Sequence, residues 1–373
     1  MMMRYLTTTI LLTWILTCSV VWCQEIVGED DKTVIDDDNE TISNEETMTE
    51  ELVDTTETDY FCDIIYYKDQ RVVINCSNLS LTDVPDLNIN VDAGAEQYLD
   101  LSHNIIKTLD LEVFDEAFNS FDNHEHITSL DLSYNPLGEL DLKTSLAIGS
   151  LEQLEELFIK YCHISVVPKP LIEKLELLHT LDLTGNLLHQ VDPQLKLLPS
   201  LDTLVLDDNL IDVLDHTSFE DMSSLVKLSV SDTSVLTIVE KDTFTPLTRL
   251  LELRLRDNHQ FYWIHPDAWS HDHTEDRLVL QELDLSGNAL TRLPSALLTS
   301  DQVWYQLVTV NVQNNPWWCD CHNDWLINTL VPWIYNNTPE LLSGQYHNIM
   351  VCIMVSWSVS WYRGIMVSII VYW

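Results

Sequence analysis

The chain has 373 residues and a formal net charge of −42 at pH 7, from 60 acidic side chains against 18 lysines and arginines. This charge excludes nucleic acid as a partner, because phosphate binding needs a basic surface, and it disfavours docking on anionic membranes. Glycine is scarce, at eight residues, and the phosphate-loop, dinucleotide, zinc-protease and nucleophile-elbow signatures are absent from the sequence. We therefore predict a protein that is not an enzyme and uses no cofactor, metal or small-molecule substrate.

The N-terminus predicts secretion. Arg4 precedes an uncharged apolar run, and Val21 and Cys23 are small residues at the positions that a signal peptidase inspects. We assign residues 1–23 to a signal peptide, with an uncleaved anchor helix as the alternative. A secreted chain can be glycosylated at Asn-x-Ser/Thr triplets. These triplets begin at Asn39, Asn75, Asn78 and Asn336.

An acidic leader follows over residues 24–60. Residues 25–59 hold fifteen acidic side chains, one lysine and no aromatic residue. Such a segment buries too little apolar surface to offset the entropy lost on ordering, so we predict disorder. The leader is interpreted as a solvated spacer, and the alternative is an anionic docking arm extended by sulfation of Tyr60.

Residues 95–315 repeat the pattern L-x-x-L-x-L-x-x-N-x-L. Segments that start at residues 178, 201 and 280 match every fixed position, and six more fit the frame with small departures. The L-x-L core alternates like a strand with one buried face, and the following asparagine can bond buried backbone groups as donor and acceptor. This position holds Asn104, Asn135, Cys162, Asn186, Asn209, Thr233, Asn258, Asn288 and Asn315.

About nine such units predict an α/β repeat fold, a leucine-rich-repeat solenoid. Stacking the units forms a curved parallel β-sheet on the concave face, with loops and short helices on the convex face. The repeats resemble those of the extracellular leucine-rich repeat family, which includes Toll-like and Slit-type ectodomains, and the resemblance covers residues 61 to about 340. Aromatic residues recur where such repeats bury one on the convex side: Phe114, Phe219, Phe244 and Trp269.

The resemblance implies a cysteine cap before the repeats. Cys62 and Cys76 lie fourteen residues apart and bracket strand-like sequence. Residues 61–94 are therefore similar to the N-terminal cap of the family, shortened to one disulfide bridge. A secreted chain favours bridges over metal binding for such cysteines.

A C-terminal cap is implied over residues 316–352. The stretch NPWWCDCHNDWL resembles the cap signature of the family, in which Cys319 and Cys321 form bridges rather than bind a metal. Two downstream cysteines complete that cap in the family, but here only Cys352 follows, so the cap is incomplete and its pairing stays open. Residues 353–373 form an apolar tail, interpreted either as a damaged membrane anchor or as an artefactual or lineage-specific ending.

Two histidine clusters lie in inserted convex loops. They are His124-Glu125-His126 and His271-Asp272-His273. A structural zinc site needs three or four ligands in fixed geometry, and each cluster offers only a fragment of one. We therefore predict no metal site.

One candidate binding site on the concave face is aromatic. The frame directs the variable positions between and after the strand leucines to this face. Tyr134, Phe158 and Tyr161 are predicted to form an exposed cluster across adjacent units, with Lys160 beside them. Exposed aromatic side chains with polar neighbours are typical anchors of protein interfaces.

A second candidate is a basic stripe two to four units further on. Lys227, Arg254 and Arg256 concentrate positive charge that is otherwise rare in the chain. Such a stripe suggests a protein ligand selected by charge. The alternative is that these cations pair with Glu252 and Asp257 across the sheet.

These features predict a secreted, non-catalytic protein whose concave face binds an extracellular protein ligand or receptor. The family resemblance implies roles in adhesion, recognition or receptor modulation. The alternative is the cell-surface ectodomain of a membrane receptor, of Toll-like or neuronal type, without its transmembrane and signalling parts. Membrane association is less favoured.

Overall fold

The computed structural model describes residues 52–57, 62–67, 71–87, 95–114, 126–269, 279–295, 307–318, 323 and 325–337. Its strands are short, and the first eight are β1 (Leu52–Glu57), β2 (Asp63–Tyr67), β3 (Arg71–Asn75), β4 (Glu96–Asp100), β5 (Ile127–Asp131), β6 (Glu156–Phe158), β7 (Thr180–Asp182) and β8 (Thr203–Val205). The others are β9 (Val213–Leu214), β10 (Lys227–Ser229), β11 (Ile238–Val239), β12 (Glu252–Arg254), β13 (Trp263–Ile264), β14 (Glu282–Asp284) and β15 (Thr309–Asn311).

Twelve strands form one sheet in the order β1-β2-β3-β4-β5-β6-β7-β8-β10-β12-β14-β15. The strands from β3 onward pair in parallel, each with the next repeat along the chain. Each of the nine predicted repeats therefore contributes one strand, which confirms the predicted solenoid. A second, parallel sheet has the order β13-β11-β9.

Helices in the described part of the chain are few and short. The longest, α1, spans Leu142–Gly149 and begins at Asp141, whose carboxylate accepts the Thr144 N–H at 2.8 Å. No helix of the described residues is long and apolar enough to cross a membrane. The other helical segments are Lys169–Ile172, a 3-10 turn at Pro193–Leu197, a π-helical turn at Leu326–Leu330, and Val331–Asn337.

The interior is a continuous column of leucine, isoleucine and valine. In the seventh repeat, for example, Leu250, Leu253 and Leu255 are all fully buried. They occupy the fixed leucine positions of the frame, whereas the intervening residues face outward because side chains alternate along a strand. Burial of such side chains is the main stabilising contribution of each unit.

The asparagine position forms a ladder that joins neighbouring repeats. Asn186 shows the pattern, since its Nδ2 donates to the carbonyls of Ile159 and Leu183 while its Oδ1 accepts the N–H groups of Cys162 and Ile164. Amide side chains suit this place because they satisfy buried donors and acceptors together. The thiol of Cys162, in contrast, donates weakly to the Leu132 carbonyl at 3.2 Å.

The convex aromatic residues form the predicted buried row. Phe219 and Phe244 stack with ring centroids 5.9 Å apart, and Phe244 lies 4.8 Å from Trp269. Phe114, in the first repeat, is also buried. These rings belong to the buried core of the solenoid.

The N-terminal end is closed by an antiparallel extension of the main sheet. Cys62 and Cys76 form a disulfide, as the cap resemblance implies. The structure differs from the prediction before it, since Leu52–Glu57 of the leader forms β1 and pairs with β2. Strand pairing satisfies backbone hydrogen-bonding groups, and an argument from composition does not detect it. Cys319, Cys321, Cys352 and the tail lie outside the described residues.

Candidate functional site

Many aspartates of the concave face shape the backbone. In the strand position between the two buried leucines, four repeats carry aspartate, and each carboxylate accepts the N–H group two residues further on at 2.8–3.0 Å. This bond fixes the turn that leaves the strand. These aspartates are Asp100, Asp131, Asp182 and Asp284.

The third repeat departs from that pattern. It places Phe158 in the strand and Lys160 two residues later, where four of the other eight units have aspartate followed by serine or threonine. The Lys160 ammonium lies 5.2 Å from the centre of the Phe158 ring and 3.3 Å from the Asp182 carboxylate. The half-buried ring and its cation therefore form a local feature in the middle of the concave sheet.

A row of left-handed residues runs along the carboxyl edge of the concave sheet, and we call this row the edge column. Each member immediately precedes the asparagine-ladder position, and its φ lies between 51° and 71°. The N–H group of each of the first eight members donates to a carbonyl of the next repeat at 2.7–3.0 Å. The members are His103, Tyr134, Tyr161, Gly185, Asp208, Asp232, Asp257, Gly287 and Asn314.

The edge column begins with three stacked rings. His103 and Tyr134 have centroids 4.2 Å apart with 10° between their planes, and Tyr134 and Tyr161 are 4.8 Å apart with 16° between theirs. These separations are close to the spacing of adjacent strands, because equivalent side chains on equivalent backbones repeat with the sheet. Tyr134 and Tyr161 remain 44% and 37% exposed.

Gly185 holds the last ring of the stack in place. A Cβ at position 185 would collide with the Tyr161 ring, so that ring lies directly over the glycine. Burial, together with the negative charge of the Asp208 carboxylate, raises the pKa of the Tyr161 phenol. The stack is thereby connected to the acidic residues that follow it in the column.

The predicted aromatic cluster is thus two features. Tyr134 and Tyr161 stack with each other at the edge, whereas the ring contact of Phe158 within the described residues is with Lys160 in the sheet. His103, the third ring of the stack, was not among the predicted site residues. Its signal was its place in the frame, since it precedes the ladder asparagine as both tyrosines precede theirs.

The basic stripe is partly neutralised. Glu252 binds Lys227 at 3.0 Å and Arg254 at 3.5 Å, and Glu282 lies 3.9 Å from Arg254. Lys227 and Arg254 therefore pair with acidic residues across the sheet, as the alternative interpretation of the basic stripe predicts. Arg256 is exposed and forms no ion pair with another residue that the structure describes.

Asp207 is a hub that the frame did not predict. Its Oδ1 accepts the Ser229 hydroxyl and the Ser231 N–H, both at 2.7 Å, and so joins the fifth repeat to the sixth. Burial raises the pKa of its carboxyl, against the opposing effect of these two donors. These two bonds connect neighbouring repeats, so Asp207 has a structural role.

The described residues contain no group of three or more histidine, cysteine or acidic side chains placed to hold a metal. Of the two histidine clusters, His124, Glu125 and the residues 271–273 lie outside that part of the chain. Cys162 is a buried free thiol, and burial raises its pKa to about 12. It therefore behaves as a packing residue in the ladder and not as a reactive nucleophile.

Comparison with known families identifies leucine-rich repeats. One leucine-rich repeat model matches residues 199–259, and a second matches residues 279–300. The chain is 29% identical over 205 residues to Tsukushi of Mus musculus, across 54% of this chain and 53% of that protein. It therefore spans about half the length of this curated relative.

Among solved structures, the chain is similar to a chain of the Toll–Spatzle complex, described as a molecular hub in Drosophila development and innate immunity. The alignment has a TM-score of 0.42 and 19% identity, and it covers 66% of this chain and 42% of that one.

Proposed function

We propose that this leucine-rich repeat protein is secreted, has no catalytic role, and binds another extracellular protein through its concave sheet and edge column. The observation that carries the proposal is the stack of Tyr134 and Tyr161 at the sheet edge. Both rings are exposed, and both belong to residues with left-handed backbone.

The choice of tyrosine at these positions supports a binding role. A left-handed backbone costs an ordinary side chain roughly 1–2 kcal/mol, whereas glycine, asparagine and aspartate tolerate it. Those three residue types fill the remaining six positions of the column, from Gly185 to Asn314. Tyr134 and Tyr161 have this unfavourable backbone conformation and yet place their rings in contact with solvent. Such a cost to stability is typical of residues that have a function.

The stack also suits binding energetically. A ring held between neighbours has lost its rotational freedom before a partner arrives, which lowers the entropy cost of association. Aromatic side chains of this kind supply much of the energy of protein interfaces. Phe158 and Lys160 offer a second contact point within the sheet, and Arg256 offers an unpaired cation among the described residues.

Secretion is supported by the signal peptide that the sequence predicts over residues 1–23 and by the Cys62–Cys76 disulfide, because such bridges persist in oxidising compartments. Fractionation of cells that express the full chain tests it. The proposal expects the protein in the medium. Recovery with the membrane fraction would instead support the receptor-ectodomain alternative.

The binding role is tested by screening the purified protein against an array of extracellular domains. We expect a partner whose binding is lost in the double variant Tyr134→Asn/Tyr161→Asn, which removes the rings but keeps a residue that tolerates left-handed backbone. Tyr262→Ala is the matched control, since Tyr262 is 56% exposed but lies outside the concave sheet and edge column. Partners that bind the double variant and the wild type equally would refute the site.

A further inference from the structure

The edge column shows which part of each aromatic ring a partner can reach. Tyr134 is covered on one face by His103 and on the other by Tyr161. The second face of Tyr161 lies against Gly185. The faces of both tyrosines are therefore occupied, and their exposed surface consists of ring edges.

Occupied faces decide the chemistry of the contact. A cation binds an aromatic ring over its face, so lysine or arginine of a partner cannot be accommodated that way on either tyrosine. The ring edges form an apolar ridge that suits aliphatic or aromatic side chains. The aromatic part of the column is therefore suited to an apolar group of a partner.

Beyond Gly185 the same column turns acidic. Asp208, Asp232 and Asp257 occupy three successive repeats, and Asp208 and Asp232 are exposed. None of the three forms an ion pair with a residue that the structure describes. In contrast, Glu252 of strand β12 forms ion pairs with Lys227 and Arg254. The column thus offers unneutralised negative charge beside an apolar ridge, which is complementary to a basic segment.

The spacing of the strands gives the dimensions of that segment. Adjacent strands lie about 4.8 Å apart, so three repeats separate Tyr134 from Asp208 by about 14 Å. Two further repeats, from Asp208 to Asp257, add about 10 Å. An extended polypeptide advances about 3.4 Å per residue, so these spans correspond to about four and about three residues.

We propose that the edge column docks an extended, basic segment of the partner protein across the repeats. An apolar side chain of this segment packs against the ring edges of Tyr134 and Tyr161. Lysine or arginine about four residues away lies over Asp208, Asp232 and Asp257. This inference rests on the proposed function and specifies the partner element that the concave edge recognises.

Gly185 is a specificity-determining residue in this arrangement. It provides the space that lets the Tyr161 ring lie flat in the column. Any side chain at position 185 would push the ring outward and break the continuity between the apolar ridge and the acidic residues. Gly138 also has left-handed backbone, but no atom lies within 4 Å of the place that a Cβ would take there.

A library of random displayed 12-residue peptides, selected on the full chain, tests the inference. We expect enriched peptides that combine an apolar residue with lysine or arginine about four positions away. Their capture should fall about tenfold in Asp208→Asn/Asp232→Asn and on raising the salt from about 0.05 to 0.5 M. The control Glu176→Gln/Glu240→Gln removes the same charge from exposed positions outside the concave sheet and edge column, and it should retain capture.

A second experiment compares substitutions at Gly185 and Gly138 and tests whether the position of the Tyr161 ring matters for binding. Gly185→Ala and Gly138→Ala both add a methyl group at a left-handed position, and only the first displaces Tyr161. We expect capture of the selected peptides to be lost in Gly185→Ala and retained in Gly138→Ala, with both variants folded by circular dichroism. Equal capture by the two variants would overturn the role of Gly185.

Three outcomes overturn the inference itself: no enriched peptide, enrichment of acidic peptides, or capture unchanged by Asp208→Asn/Asp232→Asn. The proposed function fails differently. Suppose that a partner from the extracellular array loses binding to Tyr134→Asn/Tyr161→Asn but binds Asp208→Asn/Asp232→Asn as well as it binds the wild type. The proposed function then stands, and only the inference of a basic segment is wrong. If the partner binds both double variants as well as it binds the wild type, the proposed function and the further inference are both wrong.

Discussion

Replacing one ladder asparagine should destabilise the solenoid by an amount that follows from its hydrogen bonds. Asn209 is 1% exposed, and its Nδ2 donates to the carbonyls of Leu183, Leu206 and Asp207 while its Oδ1 accepts the Leu188 N–H. The Leu183 carbonyl also accepts from Asn186, and the Asp207 carbonyl from Gly185. Asn209→Ala therefore orphans two groups, the Leu206 carbonyl and the Leu188 N–H.

A buried polar group without a partner costs about 1–3 kcal/mol, so we expect Asn209→Ala to lower the free energy of unfolding by about 2–6 kcal/mol. Thr233→Val is the matched comparison at the same position of the next repeat. The Thr233 hydroxyl donates only to the Ser231 carbonyl, at 3.3 Å, and that carbonyl also accepts the Asp208 N–H. Its loss should cost below about 1 kcal/mol, because no group is orphaned.

Urea unfolding of both variants, followed by circular dichroism, measures the difference. The expected result is a clearly lower midpoint for Asn209→Ala and a near wild-type midpoint for Thr233→Val. Equal midpoints for the two variants would refute the reasoning, since the number of orphaned groups would then not determine the cost.

Three further predictions concern single features. Because burial raises the pKa of the Cys162 thiol to about 12, iodoacetamide at pH 8 should modify Cys162 only in unfolded protein. Peptide mass spectrometry checks this, and alkylated Cys162 in the native chain would contradict the prediction. Cys62→Ser/Cys76→Ser opens a loop with a sequence separation of 14 and should lower stability by about 3 kcal/mol, which an unchanged urea midpoint would disprove. Asp141→Ala removes the N-cap of α1 and should cost about 1 kcal/mol at pH 7. The Thr144 N–H lowers the pKa of the Asp141 carboxyl below its ordinary value of 3.8, so this contribution is present above that value and is lost as the pH falls through the lowered pKa. If the difference in stability between Asp141→Ala and the wild type persisted undiminished below the lowered pKa, this prediction would be wrong.

Much of the fold followed from the period of the leucines. The frame assigned one strand to each of nine repeats, and the ladder residues, including Cys162 and Thr233, occupy their predicted place. A repeat architecture is predictable in this way because each unit contacts mainly its neighbours, so local pattern and tertiary position coincide. The strand Leu52–Glu57 was not predictable from composition, since its pairing with β2 is a backbone contact.

The candidate site was predictable only as a set of positions. The frame directed Tyr134, Phe158 and Tyr161 to the concave side, but it could not tell that the two tyrosines stack at the edge while Phe158 lies with Lys160 in the sheet. It also left open whether Lys227 and Arg254 are free. Ion pairing with Glu252 depends on side-chain reach across strands, which a one-dimensional pattern does not contain.

Residue type at a fixed period was enough to specify the solenoid, its buried interior and its acidic character. The order of the edge column, in contrast, depends on the folded chain. There a left-handed backbone repeats at the strand spacing and brings His103, Tyr134 and Tyr161 into one stack that ends over Gly185. Residues more than twenty positions apart in the chain become neighbours a few ångströms apart, because parallel stacking converts a sequence period into a spatial contact.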